Sequence, residues 1–167
     1  YSVMNAFYIA CSSFVGQNYG AGKPLRVMKS YLLTLAFSAL AAEFLGCLFF
    51  LFGHEFLSLF TPEAPVIEAG LERIRVMCFV FPLSGLMDCT TAASRGLGKG
   101  LVPMVFVFLG SCVFRVIWIY TVFAYFHTIP SLYILYPFSW LLTGAAEIAY
   151  FLYCYKKYVK PLDRETA

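Results

Sequence analysis

The chain has 167 residues, of which 61% are hydrophobic and only 13% charged. A soluble domain carries about a quarter charged residues, so this composition excludes the soluble class and indicates a membrane protein. The formal net charge of +3 is accounted for by basic segments facing anionic lipid and requires no nucleic-acid partner.

A span needs roughly 20 predominantly apolar residues, which leaves room for about five. Span one runs from the start to about Tyr19 and ends at Gly20-Ala21-Gly22, a glycine-rich helix exit. It contains Asn5, Ser12, Ser13, Gln17 and Asn18 and has no charge before Lys23. Lacking a basic opening and a small-residue cleavage site, it does not read as a signal peptide. It reads as the back end of a helix whose beginning is absent, so the chain is expected to be a fragment of a larger transporter-like protein. Span two covers Ser30 to Gly53. Thr61-Pro62-Glu63 then has the form of a helix start, with threonine as N-cap and proline at the first position. That helix is expected to begin in the outer interface and continue inward as span three, Ile74 to Gly96. Gly98 to Pro103 turns the chain into span four, Val102 to Phe126, and span five runs from Pro137 to Tyr155. Tyr120, Tyr125, Tyr133, Tyr136 and Trp140 gather at the outer ends of the last two spans, as an aromatic belt does. The fold class is therefore all-α, a polytopic transmembrane helix bundle of about five spans with the first truncated.

The gaps between spans differ in charge. The first carries Lys23, Arg26 and Lys29 with no acid, the third Arg95 and Lys99, and the tail Lys156, Lys157, Lys160 and Arg164. The second balances Glu55, Glu63, Glu68 and Glu72 against Arg73 and Arg75, while the fourth, His127 to Tyr136, has no Lys, Arg, Asp or Glu. Basic side chains near span ends accumulate on the cytoplasmic side. Gaps one and three and the C-terminus are thus expected in the cytoplasm, in a multi-pass protein of the plasma membrane.

Four ionisable residues lie within the spans: Glu43, Asp88, Arg115 and Glu147. Charges in hydrocarbon are costly, so they face protein or water and often mark function. From the helical rise, Glu43 and Arg115 lie about 20 Å from the cytoplasmic ends of their helices, and Asp88 and Glu147 about 10 to 12 Å. Each of these pairs can share a level. Ser84, Asp88, Thr91 and Arg95 fall on one helical stripe, at i, i+4, i+7 and i+11. Gly85, Cys89, Ala92 and Gly96 form a neighbouring small-residue stripe suited to close helix contact. Asp88 has two readings, a coupling acid or a structural partner of Arg95 or Arg115. Arg115 is the lone deep base against three acids, so at least one acid remains for a proton or a cation; the guanidinium itself serves structural pairing or substrate contact. Glu43 and Glu147 are further coupling candidates beside a structural reading.

His54 and His127 lie at outer boundaries with no partner at metal-ligand spacing. The six cysteines, Cys11, Cys47, Cys78, Cys89, Cys112 and Cys154, lie in apolar runs and lack C-x-x-C spacing. They read as reduced packing residues, with neither a disulfide nor a metal site expected.

Several stretches, in order, resemble the C-terminal half of the multidrug and toxic compound extrusion (MATE) transporters. Gly16-Gln17-Asn18 with Gly20-Ala21-Gly22-Lys23-Pro24 and Arg26 is similar to the family's eighth helix at its cytoplasmic exit. Pro82 through Arg95-Gly96-Leu97-Gly98, then Pro103, resembles the tenth helix and the turn into the eleventh. Arg115 with Trp118, then Tyr136-Pro137 and Trp140, resembles the eleventh and twelfth. The resemblance covers essentially the whole chain. It implies residues 1–167 as a partial C-terminal bundle, the end of helix eight through helix twelve, without helix seven or the N-terminal bundle. The family's fold is twelve helices in two bundles of six. The function implied is alternating-access efflux of small, chiefly cationic, organic substrates by an antiporter coupled to H⁺ or Na⁺, with no other cofactor. In the sodium-coupled branch a cation-binding aspartate lies one turn before Asp88, where this chain has Ser84. Ser94 and Lys99 also depart from the family's commoner residues.

Two other classes compete. A flippase of lipid-linked saccharides shares the architecture but needs a basic cavity for an anionic head group, whereas acids outnumber bases in these spans. A membrane protease needs a nucleophile and base, or metal ligands, at one depth, and neither histidine lies within a span.

Overall fold

The chain is described here by a computed structural model covering residues 2–126 and 129–162; His127 and Arg164 therefore lie outside the described residues. Every regular element among them is helical. Helix α1 is Ser2–Gly20, α2 Pro24–Ser58, α3 Ala64–Met77 and α4 Phe81–Gly96. Helix α5, Leu101–Phe123, widens into π turns at Leu109–Val113 and Ile119–Phe123. Helix α6 is Ile129–Cys154. Three of these (α2, α5 and α6) are long and apolar enough to cross a membrane, and α3 with α4 supplies a fourth crossing if the bent pair is one span.

Sequence signals place the turns. Gly22 and Gly98 take φ of 64° and 73°, a left-handed conformation that lets the chain leave α1 and α4 at no Cβ cost. Pro24 then opens α2, where a missing N–H is harmless. Helix α2 exceeds the bilayer core: 35 residues at the helical rise span roughly 50 Å. It kinks at Phe52, with φ −111° and ψ 17°, and His54 beyond the kink is exposed.

Three expectations about elements need correction. Span three is not one straight helix. It breaks between Met77 and Phe81 and bends by 58°, because Pro82 has no N–H for the Cys78 carbonyl and its ring crowds that group. Tight turns replace the lost bonds, with the amides of Val80 and Leu83 donating to the carbonyls of Met77 and Val80 at 3.0 Å each. The start of α3 is also displaced. Thr61 Oγ1 accepts from the Glu63 amide at 3.2 Å within the turn, and the helix begins at Ala64 with Glu63 in the cap position. The fourth gap, finally, is largely helix, since α6 starts at Ile129 and carries Pro137 inside it. As expected for an interfacial segment, α3 leaves Glu68, Glu72, Arg73 and Arg75 exposed while burying Ile67 and Met77.

The core lies where α1, α2, α4 and α6 meet. Met4, Tyr8, Cys11 and Val15 of α1 recur at helical spacing and are buried, as are Val27 and Tyr31 of α2, Cys89, Ala92 and Ala93 of α4, and Phe151 and Cys154 of α6. The Tyr31 ring meets Phe151 at 4.4 Å between centroids, and its hydroxyl pairs with Thr90 Oγ1 at 2.9 Å. The outer faces are apolar too: Leu33, Phe37, Leu40 and Phe44 are all more than half exposed. Such a surface suits hydrocarbon and not water.

The small-residue stripe of α4 fits against α1. Cys89 Sγ lies 3.5 Å from Cys11 Sγ, and Gly96 is so near α1 that a Cβ there would come within 2.6 Å of the Ser12 carbonyl. Helix α5 leans chiefly on α6, where Gly110 is pressed against Thr143. Along α4 and α6 the contacts advance together, Gly144 against Leu86 and Met87 and Glu147 against Thr91, so the two helices run parallel. The three basic segments also converge at one end of the bundle. Lys99 Nζ sits 4.6 Å above the Tyr158 ring, and Tyr155 donates to the Pro24 carbonyl at 3.2 Å.

Candidate functional site

Helix α4 carries the polar stripe of the sequence into two cavities. Asp88, half-buried, lines both of them. The first, 540 Å³, is shared with Asn5, Tyr8, Ser12 and Ser13 of α1 and with Arg95. The second, 730 Å³, lies between α4 and α5 and is bordered by Thr91, Arg95, Met104, Ser111 and Cys112. The π turn of α5 sets the last two residues on this wall. Ser84 Oγ donates to Asp88 Oδ2 at 3.5 Å, a long contact, and the Tyr8 hydroxyl is a second partner. Among the described residues, neither Arg95 nor Arg115 forms an ion pair with Asp88. Arg95 lines the same two cavities and acts on the Asp88 carboxylate through its charge, without a hydrogen bond to it.

Glu147 stands behind this wall. It is fully buried on α6, where Oε1 accepts a hydrogen bond from Thr91 Oγ1 at 2.6 Å. Its other oxygen, Oε2, is buried with no hydrogen-bond partner among the described residues. The Asp88–Glu147 level proposed from helical rise is matched by this arrangement, since Thr91 lies one turn from Asp88 and touches Glu147 directly. The other proposed pair, Glu43 and Arg115, shares no contact among the described residues. Glu43, half-buried on α2, accepts only a weak contact from Cys47 at 4.0 Å, one turn along its own helix.

Arg115 takes a different role from acid pairing. Its Nε and Nη2 donate to Ser139 Oγ at 3.3 and 3.2 Å, and the guanidinium lies 4.6 Å over the Tyr136 ring. It ties α5 to α6 through a hydroxyl and an aromatic face. Such contacts contribute about 1 kcal/mol each. Arg115→Gln should therefore lower the thermal stability of the purified protein in detergent by about 1–2 kcal/mol. An unchanged unfolding midpoint would show that these contacts do not hold α5 to α6.

Of the seven residues singled out from sequence, the structure brings Ser84, Asp88, Thr91, Arg95 and Glu147 to one region and leaves Glu43 and Arg115 elsewhere. It adds Tyr8, Ser12 and Asn5, whose only advance signal was their polarity in a charge-free span. It adds Ser139 as well, 24 residues from its partner Arg115, for which no local signal existed. Ser94 Oγ is another buried oxygen without a partner among the described residues, on the face of α4 that packs inward.

The sequence profile of one family, MatE, matches residues 1–121. The chain belongs to the MatE family. This is a family of multi-pass membrane transporters, so its members are not enzymes. Among solved structures, the MatE chain is similar to one described as the inward-facing conformation of a multidrug resistance MATE family transporter of the MOP superfamily. The likeness has a TM-score of 0.69 at 20% identity, and covers 96% of this chain and 36% of that one. At that identity it establishes the fold, and the MatE chain spans just over a third of that transporter's length. No curated protein matches. The comparisons agree with the all-α membrane bundle and the MATE resemblance read from the sequence.

Proposed function

We propose that this chain is part of the C-terminal bundle of a cation-coupled multidrug exporter, contributing the end of helix eight through helix twelve. The intact protein exchanges small organic cations for H⁺ or Na⁺ across the plasma membrane by alternating access, with its C-terminus in the cytoplasm. The observation that carries this reading is Asp88, an acid on the polar stripe of α4 that borders two cavities and accepts a long hydrogen bond from Ser84. A carboxylate at such a depth is stable only with water, a base, a proton or a cation to face. Asp88 is therefore the coupling residue, Ser84 and Tyr8 orient it, and Arg95 sets the local field near the basic end of the bundle. Emptying and refilling this acid lets a cation bias the two access states, because a ligand shifts such an equilibrium only through its different affinity for each. The similar solved structure, described as a multidrug resistance transporter, supports the substrate class.

The test uses the intact protein in cells lacking their main exporters. Expression should lower accumulation of a cationic fluorescent dye, and collapsing the proton and sodium gradients together should abolish that effect. Unaltered dye accumulation, combined with rescue of a glycolipid-export defect, would overturn the exporter in favour of a lipid flippase.

A further inference from the structure

Glu147 is sealed from solvent, yet it is one hydroxyl away from a cavity. Thr91 makes the connection. Its Oγ1 donates to Glu147 Oε1 at 2.6 Å, and the same residue borders the 730 Å³ cavity beside Asp88. We propose that Thr91 is a proton relay between that cavity and Glu147, which stores the proton out of contact with water. The inference rests on the cation-coupled reading above and makes the coupling ion, at this second acid, a proton.

Glu147 Oε2 is buried with no hydrogen-bond partner among the described residues. A carboxylate anion needs several donors to replace the water it loses on burial. Glu147 has one donor, and Oε2 has none. The ionisable groups around it are Asp88, Cys89 and Arg95 from α4, Tyr31 from α2 and, across the cavity, Cys112 from α5. None of these hydrogen-bonds Oε2. The anion is thus poorly supported, and neutralising it by a proton removes the penalty. A proton reaches this position along the Thr91 hydrogen bond with no coordination shell to bring into the packed interior.

The step balances without a further reactant. A hydronium in the cavity gives its proton to Thr91 Oγ1 as the existing Thr91 O–H bond breaks toward Glu147 Oε1. Thr91 remains a neutral hydroxyl, the hydronium becomes water, and the carboxylate becomes a carboxylic acid. The reverse transfer discharges it. Asp88 meets the cavity directly and needs no such relay, so the two acids exchange protons by different routes.

The experiment reconstitutes the intact transporter in liposomes with an internal pH dye and the cationic dye ethidium. Thr91→Val keeps the volume and removes the hydroxyl; it should slow substrate-driven proton movement at least about tenfold, or ~1.4 kcal/mol in barrier. Thr91→Ser should stay within about twofold of wild type, because it preserves the relay atom. In infrared difference spectra on pH change, Glu147→Gln should remove a protonated-carboxyl C=O band that persists in Thr91→Val with slowed exchange. Glutamine retains an acceptor for Thr91, which keeps this arm readable if Thr91→Val folds poorly. Wild-type proton rates in Thr91→Val, or an unchanged band in Glu147→Gln, would overturn the relay. Ethidium movement coupled to Na⁺ with no proton flux would overturn it while leaving the cation-coupled reading intact. Movement independent of both gradients would overturn both.

Discussion

Asp88→Asn in the intact transporter is expected to reach the membrane in normal amount and to lose efflux of cationic dyes by at least about tenfold, a barrier change of ~1.4 kcal/mol or more. Asparagine is nearly the same size and keeps a carbonyl oxygen for Ser84 Oγ, now 3.5 Å from the carboxylate. No cavity opens and no packing is lost, since Asp88 already borders two cavities. What disappears is the negative charge and the ability to exchange a proton or hold a cation. Folding and function should therefore separate at this position. Dye accumulation in cells measures the function, and size-exclusion profiles of detergent-solubilised protein measure the fold. Glu43→Gln provides the contrast. That carboxyl has only a weak thiol contact, so efflux should remain within about twofold of wild type. Unchanged efflux in Asp88→Asn would remove Asp88 from the coupling step and leave Glu147 as the principal acid.

Gly96→Val should reduce the amount of folded protein sharply, with overpacking costing about 1–3 kcal/mol or more. A Cβ at Gly96 would lie 2.6 Å from the Ser12 carbonyl oxygen and 3.0 Å from Val15 Cβ and Cγ1. Because the Ser12 atom is backbone within α1, it cannot swing away as a side-chain tip would. The helices must separate, and Cys11 must then leave Cys89, whose sulfur it meets at 3.5 Å. Gly96→Ala should have the same sign with a smaller effect. Thermal unfolding of the purified protein in detergent reads both. A Gly96→Val protein with an unchanged midpoint would show that α1 does not seat against α4 in this register.

The two outcomes differ because α4 presents different faces. Cys89 and Gly96 of its small stripe pack against α1, while Asp88, Thr91 and Arg95 of its polar stripe border the cavities, in line with the helical spacing of the two sets. Positional chemistry of this kind is local, so it is legible without knowing the neighbours. The same is true of the exits at Gly22 and Gly98, where left-handed backbone follows from glycine, and of the apolar runs that commit the chain to a bilayer. The alternating basic gaps also foretold which segments would meet at one end, because membrane orientation responds to lysine and arginine counts alone.

Partner choice and the straightness of helices were decided by the tertiary structure. Residues Ile74 to Gly96 read as one helix because their apolar content is continuous, yet the backbone breaks ahead of Pro82 and the two halves diverge by 58°. Pro82 removes the hydrogen bond to the Cys78 carbonyl and crowds it, and in the folded bundle α3 then packs against α2. Arg115 and Glu43 matched in depth on paper, but the rotation of each helix about its axis sends the guanidinium to Ser139 and leaves Glu43 on another face. Depth follows from residue count, whereas facing depends on how whole helices seat against one another. The meeting of Thr91 and Glu147, 56 residues apart in the chain, belongs to that second category, since only the packing of α4 against α6 puts a hydroxyl on a buried acid.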